Sequence, residues 1–352
     1  MDDTLANLIC NAFENDATDV FLAEGEPPRI RKEGQVTVLH PGPIPAAAMQ
    51  DFWRERGADP ADKAIHERDT SWLLPGVNKR LRVHLYRTLN RLAAVLRPIR
   101  SDIPALEDLG LPAELLTRWM QRRLGLILVT GPTGSGKSTT VASMIDWLNH
   151  NHPRHIVTLE DPVEYLFQND RAVFSQREIR TDAASFSSAL HAAMRQSPDV
   201  IFIGEIRDRE TALTALQAAE TGHLVIATLH SGSAVETLER ITHLIDPANT
   251  GALRLLATHL VGTISQQLLP RIGGGLFVAL EYFQNEAASR RWIADCQTAE
   301  LQEYLQKSPS PETCSLLDYL VAATKQGFID PADARSVCAR PQDFDRAMRG
   351  IS

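Results

Sequence analysis

The sequence predicts an α/β protein in which a small α+β domain precedes a larger domain built on a parallel sheet. Two observations support this prediction. Apolar segments typical of strands alternate with helical intervals along the larger domain, and such alternation implies parallel strands joined by right-handed crossovers. The first of these strands also runs directly into a glycine-rich loop and then a helix. The 352 residues are enough for two domains, each with its own core.

The first hundred residues predict the α+β domain. A helix near residues 5–15 comes first, and short segments separated by glycine and proline turns follow it. The later elements are expected to be strands at 19–22, 29–31, 36–39, 81–85 and 92–98 and a helix at 46–56. Residues 101–112 contain Pro104, Gly110 and Pro112 and predict a linker.

The rest of the chain predicts the parallel-sheet domain. Its elements are expected to be strands at 124–130, 155–160, 200–204 and 225–229 and helices near 185–195 and 209–220. Three glycines at 273–275 interrupt the pattern before one more strand and a helical tail. We therefore divide the chain into a domain at 1–100, a linker or hinge at 101–112, a core at 113–275 and a C-terminal strand and helical region at 276–352.

The glycine-rich loop has the composition of a phosphate-binding loop. Its nine residues are Gly131, Pro132, Thr133, Gly134, Ser135, Gly136, Lys137, Ser138 and Thr139. The glycines let main-chain N–H groups close around phosphate oxygens, and the following helix adds the positive end of its dipole. Lys137 can reach the β- and γ-phosphates, while the Ser138 hydroxyl can ligate Mg²⁺. The loop predicts that the chain binds and hydrolyses a nucleoside triphosphate.

Polar residues accompany three further strands, and ligands bind at the carboxyl ends of strands in an open parallel sheet. The groups are Glu160, Asp161 and Glu164 after one strand, Glu205 and Arg207 after the next, and His223 and His230 around the third. Hydrolysis needs one carboxylate to activate water and another to hold the Mg²⁺ shell. Glu205 and the cluster at 160–164 are the candidates for this work. Arg207 and Arg195 are candidates to neutralise charge on the γ-phosphate.

Several of these residues also have a purely structural interpretation. Asp161 is a possible turn cap, and His223 could be a hydrogen-bonded core histidine. Arg207 and Asp208 could form a solvated ion pair. The arrival of all these groups together, in this order, favours the nucleotide site.

Basic residues are concentrated on the last two predicted strands of the first domain. They are Lys79, Arg80, Arg82, Arg87, Arg91 and Arg97. Three interpretations stay open: a solvated strand face, a nucleic-acid surface, and arginine fingers that reach the ATP of a neighbouring subunit. Nucleic acid is the less favoured partner, because aromatic residues among them are few and the formal net charge is -8.

The overall composition is that of an ordinary globular protein, with 43% hydrophobic and 23% charged residues. No apolar run approaches the roughly 18 residues of a membrane span, and the acidic start differs from a signal peptide. The four cysteines form no CxxC pair, which favours reduced thiols over a metal or disulfide role. We therefore expect a cytoplasmic protein.

Taken together, these motifs resemble the PilT-type pilus retraction ATPases, within the wider type II/type IV secretion ATPase superfamily. The resemblance covers about residues 15–280. It rests on the loop at 131–139, TLEDPVE at 158–164, QRE at 176–178, SPDVIFIGEIRD at 197–208 and AETGHLVIATLH at 219–230.

The resemblance implies a fold, an assembly and roles for individual residues. Each subunit of a hexameric ring would join a PAS-like N-terminal domain to a RecA-like P-loop ATPase domain, with ATP between the two. Glu164 would activate water, and Glu205 would organise the Mg²⁺ shell. His223 and His230 would sense the γ-phosphate. Arg82 and Arg97 of the N-terminal domain would approach the nucleotide. The implied partner is an inner-membrane platform protein, on which the ring would dock from the cytoplasm.

The function that the resemblance implies is retraction of type IV pili. The extension ATPases of the superfamily carry a longer N-terminal region and usually a tetracysteine metal site, neither of which this sequence has. Residues 288–295 read ASRRWIAD where the retraction pattern is AIRNLIRE, which suggests a divergent member. The alternatives are pilus assembly, type II/IV secretion or conjugation, a RecA-like nucleic-acid motor, and a nucleotide-binding regulator without turnover.

Overall fold

A computed structural model of the chain describes residues 3–75, 79–307 and 310–350. The chain divides into two compact units, which we call unit 1 (Met1–Ser101) and unit 2 (Asp102–Ser352). Both contain helices and strands, so the α/β fold class is confirmed. The predicted linker includes a short 3₁₀ turn at Leu106–Leu109, and its action as a hinge stays a prediction.

In its described residues, 3–75 and 79–101, unit 1 is an antiparallel sheet with two helices. Its elements are α1 (Asp3–Glu14), β1 (Asp19–Ala23), β2 (Arg29–Lys32), β3 (Gln35–Val38), α2 (Ala46–Glu55), β4 (Glu67–Leu74), β5 (Lys79–Thr88) and β6 (Arg91–Pro98). The strands lie in the order β3-β2-β1-β6-β5-β4. The sequence did not predict β4. This strand lies at the edge of the sheet and buries only its last residue, so it lacks the apolar alternation that marks a strand.

The core of unit 1 lies on one face of this sheet. Every second residue of β5 is fully buried there, namely Leu81, Val83 and Leu85. These side chains belong to the same hydrophobic core as Phe52 and Trp53 of α2. The period of two along the strand therefore leaves the residues between them, including Arg82, on the other face.

That other face carries arginines in ion pairs. Arg82 of β5 and Arg97 of β6 are directly opposite each other. The buried Asp19 carboxylate accepts two hydrogen bonds from Arg97, from Nε at 2.8 Å and from Nη2 at 2.5 Å. Asp69 lies 3.6 Å from Arg82. Each arginine thus has its own carboxylate, which offsets the repulsion between like charges on neighbouring strands.

Unit 2 is a mixed sheet with helices on both faces. Its strands are β7 (Gly125–Thr130), β8 (His155–Glu160), β9 (Val173–Glu178), β10 (Val200–Ile203), β11 (Leu224–Leu229), β12 (Leu260–Pro270), β13 (Leu276–Gln284) and β14 (Thr313–Cys314). Its helices are α3 (Ala113–Met120), α4 (Lys137–Asn151), α5 (Phe186–Ala193), α6 (Arg209–Glu220), α7 (Ala234–Ile245), α8 (Thr250–His259), α9 (Ala287–Ala294), α10 (Thr298–Lys307), α11 (Leu316–Lys325), α12 (Pro331–Val337) and α13 (Pro341–Met348).

The strands of unit 2 lie in the order β14-β13-β12-β7-β11-β10-β8-β9. All pairs from β12 to β9 are parallel, as predicted, while β13 and β14 are antiparallel. On β7, Leu126 and Leu128 belong to the core shared with α5 to α8. Ile127 and Val129 belong to the core shared with α3 and α4. Because both faces of this strand are covered, all six of its residues are buried.

Three strands of unit 2 were not predicted from the sequence: the two-residue β14, which lies within the expected helical tail, and two longer strands. The edge strand β9 has no buried residue, and most of its side chains are polar. The other, β12, begins immediately after α8 ends at His259, so no turn residue marks the boundary. Both cases show that a strand without apolar alternation or flanking turns leaves little trace in the sequence.

The C-terminal region of unit 2 packs against the beginning of the same unit. The Trp119 indole of α3 donates a hydrogen bond to Gln284 at the end of β13, at 3.0 Å. The Tyr319 hydroxyl of α11 donates to the main-chain oxygen of Gly110 at 3.1 Å. The predicted helical tail is therefore an integral part of unit 2. Within residues 3–75, 79–307 and 310–350, no helix combines the length and apolar character needed to cross a bilayer.

Candidate active site

The phosphate-binding loop connects the carboxyl end of β7 to the first residue of α4. Gly131, Gly134 and Gly136 have φ angles of 147°, 80° and 88°, which L side chains rarely adopt. A β-carbon on Gly131 would also lie 2.3 Å from the main-chain oxygen of Gln266. Glycine is therefore required at this first position on two independent grounds.

Lys137, the first residue of α4, is buried beneath the loop. Its ammonium group donates hydrogen bonds to the main-chain oxygens of Gly131 at 2.8 Å and Pro132 at 2.9 Å. Burial lowers the pKa of Lys137, while the charges of Glu205 and Glu164 act in the opposite direction. The loop thus holds a lysine close to the carboxylates that the sequence singles out.

Four buried hydroxyl groups form a hydrogen-bonded row that begins next to the loop, and we call this row the hydroxyl chain. The Thr130 hydroxyl, at the end of β7, donates to Ser265 Oγ on β12 at 3.1 Å. It also lies 3.1 Å from the Thr237 hydroxyl of α7, which is 2.6 Å from Ser231 Oγ. All four residues are less than 6% exposed. The chain therefore connects the phosphate loop to the segment that follows His230.

Glu160 is the buried carboxylate of the site, at the end of β8. It accepts hydrogen bonds from the Thr158 hydroxyl at 2.7 Å and from the main-chain N–H of Glu164 at 3.4 Å. Burial raises the pKa of Glu160 to about 7, although these hydrogen bonds favour the ionised form. Glu160 itself is therefore poorly suited to hold a permanent negative charge near neutral pH.

The other acidic residues after β8 are more accessible. The Glu164 side chain is exposed and lines the same cavity as Lys137. Asp161 is half-buried and lies 3.6 Å from Arg180 and 3.8 Å from Arg207. Asp161 therefore forms ion pairs rather than the turn cap that its sequence position also allowed.

Glu205, after β10, lies at the centre of a charged cluster. Arg207 Nε donates a hydrogen bond to Glu205 Oε2 at 2.7 Å. His230 Nε2 lies 3.5 Å from Glu205 Oε1, and His230 Nδ1 lies 3.5 Å from Lys137 Nζ. His230 thus connects the lysine of the loop to the carboxylate of the neighbouring strand.

These groups surround one cavity of about 370 Å³. It is lined by Thr133, Gly134, Lys137, Ser138, Ala142, Ile145, Glu160, Asp161, Pro162, Glu164, Tyr165, Phe167, Phe186, Phe202, Gly204, Glu205, Arg207, Thr228 and His230. Most of the predicted site residues of unit 2 therefore either line this cavity or belong to the loop beside it.

His223 and Arg195 lie elsewhere, and this corrects their expected place beside the γ-phosphate in the same chain. His223 immediately precedes β11, and Arg195 lies between α5 and the start of β10. Both are thus at the amino ends of strands, whereas the loop is at the carboxyl ends. The six residues of β11 span about 20 Å at roughly 3.3 Å a residue. His223 Nδ1 instead lies 3.0 Å from the main-chain oxygen of Ala218.

Gln266 and Gln176 support the site and received no role from the sequence. Gln266 Nε2 donates to the main-chain oxygen of Ser135 in the loop, at 2.7 Å. Its position on β12, among mainly apolar residues, is the signal that could have identified it. Gln176 was visible only as part of the QRE motif at 176–178. Arg82 and Arg97 belong to unit 1, where they pair with Asp69 and Asp19, respectively.

Comparisons with known proteins agree with this arrangement. The family model "Type II/IV secretion system protein" matches residues 58–304. The type IV pilus retraction ATPase PilT of Pseudomonas aeruginosa is 36% identical over 97% of this chain and 99% of its own length. The type IV pilus ATPase PilU of the same organism is 35% identical over 91% of this chain and 85% of its own length. The crystal structure of the pilus retraction motor PilT with bound ADP has a TM-score of 0.87 and 39% identity, covering 97% of this chain and 98% of that one.

The fold, the loop and the comparisons agree on the class of protein. A strand, a glycine-rich loop and a helix hold a buried lysine at the carboxyl edge of a parallel sheet. PilT and PilU, which match 97% and 91% of this chain, are ATPases by name, and one related structure contains a nucleotide. The chain therefore belongs to the type II/IV secretion system protein family, as a PilT-type ATPase with an N-terminal unit and a RecA-like ATPase unit.

Proposed function

We propose that this protein is a Mg²⁺-dependent motor that works as a ring of six copies and retracts type IV pili. The observation that carries the proposal is the similarity to the retraction ATPase PilT, which extends over 97% of this chain and therefore includes both units. The ring would work in the cytoplasm, docked on a platform protein of the inner membrane.

In the proposed mechanism, the loop binds the phosphates of ATP. Main-chain N–H groups around Gly134 contact the phosphate oxygens, and Lys137 turns from its carbonyl partners towards the β- and γ-phosphates. Ser138 and Glu205 both line the cavity and offer the oxygen ligands that Mg²⁺ prefers. The chemistry that the ion supplies when bound is neutralisation of negative charge on the phosphates.

Hydrolysis requires a base that can reach water. Glu164 meets this requirement better than Glu160, because its side chain is exposed to the cavity whereas Glu160 is buried and has a raised pKa. Arg207 would offset the charge that develops on the γ-phosphate. His230 is 3.5 Å from both Lys137 and Glu205, so a change at the γ-phosphate would alter its contacts directly.

We further propose that Arg82 and Arg97 contact the nucleotide of a neighbouring copy when unit 1 closes over it. Arg82 pairs with Asp69 and Arg97 with Asp19. These carboxylates support the role because they orient both guanidinium groups on one face of the sheet. The linker at 101–112 would act as the hinge of this closure.

Three variants test the chemistry by phosphate release and ATP binding, with and without Mg²⁺. Lys137→Ala should lose ATP binding and hydrolysis together. Glu164→Gln should keep ATP binding and slow turnover by about 100-fold or more, because only the base is removed. Glu239→Gln, at an exposed position on α7, is the matched control and should equal the wild type. Unchanged rates in Lys137→Ala and Glu164→Gln would refute the mechanism, and sedimentation velocity with ATP tests the ring of six.

Deletion of the gene in its host tests the direction of the motor. Retraction predicts surface fibres that persist but no longer shorten, with recovery by the wild-type gene and not by Glu164→Gln. Loss of the fibres themselves would instead support pilus assembly.

A further inference from the structure

The segment that carries Glu164 is held by its neighbours on several sides, and we call residues 161–167 the Glu164 segment. It follows β8 and has no helix or strand of its own. A catalytic side chain on such a segment needs support, because misplacement by about 1 Å can cost 100-fold in rate. The supports of the Glu164 segment are therefore part of the site.

Gln176 of β9 contacts the segment with both ends of its amide group. Its Nε2 donates to the main-chain oxygen of Tyr165 at 2.9 Å, and its Oε1 accepts from the main-chain N–H of Phe167 at 3.0 Å. The same Nε2 lies 3.4 Å from Glu160 Oε1. Parallel pairing sets Gln176 directly opposite Thr158, two residues before the carboxylate of Glu160. An amide serves this position well, because it offers a donor and an acceptor at once.

Two further contacts hold the segment on either side of Glu164. Glu178, also on β9, accepts a hydrogen bond from the main-chain N–H of Val163 at 3.3 Å. The Tyr165 hydroxyl lies 2.8 Å from the Thr139 hydroxyl, in the first turn of α4. The Glu164 segment is therefore held by hydrogen bonds to the edge strand β9 on one side and to the end of the phosphate-binding loop on the other.

We propose that Gln176 is a positioning residue for hydrolysis: it fixes the main chain beyond Glu164, so that the Glu164 carboxylate keeps its place beside the phosphate loop. This rests on the proposed role of Glu164 as the base that activates water. Gln176 itself does not line the cavity, so it would act through Glu164 and not on the nucleotide.

The first test removes the hydrogen bonds of the amide. Gln176→Met keeps the length of the side chain and loses both main-chain contacts, and Gln176→Glu keeps only the acceptor for Phe167. Both variants should lower kcat by about 10- to 100-fold, with KM for ATP and the affinity for ADP within about 3-fold of wild type. Gln217→Met, at an exposed position on α6, is the matched control. A general disturbance of the fold would weaken ADP binding as well, and that result would overturn the proposal.

The second test asks whether Gln176 acts through Glu164. In a Glu164→Gln background, Gln176→Met should produce no further loss in kcat, because the group that it positions is already absent. A full additional loss would overturn the proposal. If Glu164→Gln alone keeps wild-type turnover, the proposed function of Glu164 fails. If Glu164→Gln is slow and Gln176→Met keeps wild-type turnover, only the positioning role fails.

Discussion

The buried carboxyl group of Glu160 should make the stability of the protein depend on pH between about 4.5 and 7. Burial raises its pKa from the usual 4.5 to about 7 in the folded protein. In the unfolded chain the group is in water and recovers its usual pKa. Between these two values the folded state keeps a proton that the unfolded state releases. The free energy of unfolding therefore falls as the pH rises through this window, and below it Glu160 contributes no pH dependence.

The size of this effect follows from the two pKa values. Each tenfold difference in proton affinity corresponds to about 1.4 kcal/mol, so the shift from 4.5 to about 7 amounts to about 3 kcal/mol in full. Most of this loss falls between pH 5 and pH 8. It is a large fraction of the roughly 5–15 kcal/mol that stabilises a typical domain.

Glu160→Gln isolates this contribution, because the amide has no proton to lose in this range. The free energy of unfolding is measured in urea at pH 5, 6, 7 and 8. Between pH 5 and pH 8 we expect that of the wild type to fall by about 2 to 3 kcal/mol relative to that of this variant. A constant offset from the altered hydrogen bonds does not affect the comparison. Glu239→Gln, an exposed control, should follow the wild type at every pH. Parallel curves for wild type and Glu160→Gln would refute the argument.

Substitutions at three further positions have expected outcomes. Gly131→Ala should abolish detectable ADP binding in calorimetry, because its β-carbon would lie 2.3 Å from the Gln266 oxygen; near-normal affinity would contradict this. Gly262→Ala should lower the free energy of unfolding in urea by about 1–3 kcal/mol, because its β-carbon would lie 2.4 Å from the Trp119 ring; an unchanged midpoint would argue against it. Thr237→Val should lower the free energy of unfolding in urea by about 1–3 kcal/mol, because it breaks the hydroxyl chain. Thr237→Ser keeps the hydroxyl group and should show only a small part of this loss.

The sequence predicts well those parts of the fold in which local pattern and burial coincide. The central strands of unit 2 are apolar runs because both of their faces are covered, and the loop between β7 and α4 has a glycine spacing that few other structures need. By contrast, β4 and β9 were missed. They lie at sheet edges, where exposed positions accept polar residues and leave no alternation to detect.

The residues of the site divide in the same way, into those that a local sequence pattern marks and those that only the fold brings together. Glu205 and His230 could be assigned to the cavity because carboxyl ends of parallel strands meet at one edge of the sheet. His223 was assigned with them because it belongs to the same short motif, although a strand of six residues carries it to the opposite edge. Gln176 and Gln266 act through contacts with residues distant in sequence, which only the fold brings together.

The bonds that join Trp119 to Gln284 and Tyr319 to Gly110 have a consequence for how unit 2 forms during synthesis. Its first helix meets its partner strand only after more than 160 further residues have been made. Contacts so distant in sequence are slow to form and leave apolar surface exposed in the meantime. A ribosome paused before β13 would therefore hold an incomplete and aggregation-prone sheet. Truncated chains that end before β13 should therefore depend more on chaperones and be degraded faster than chains that include β13. This difference should appear well before the last helix is made.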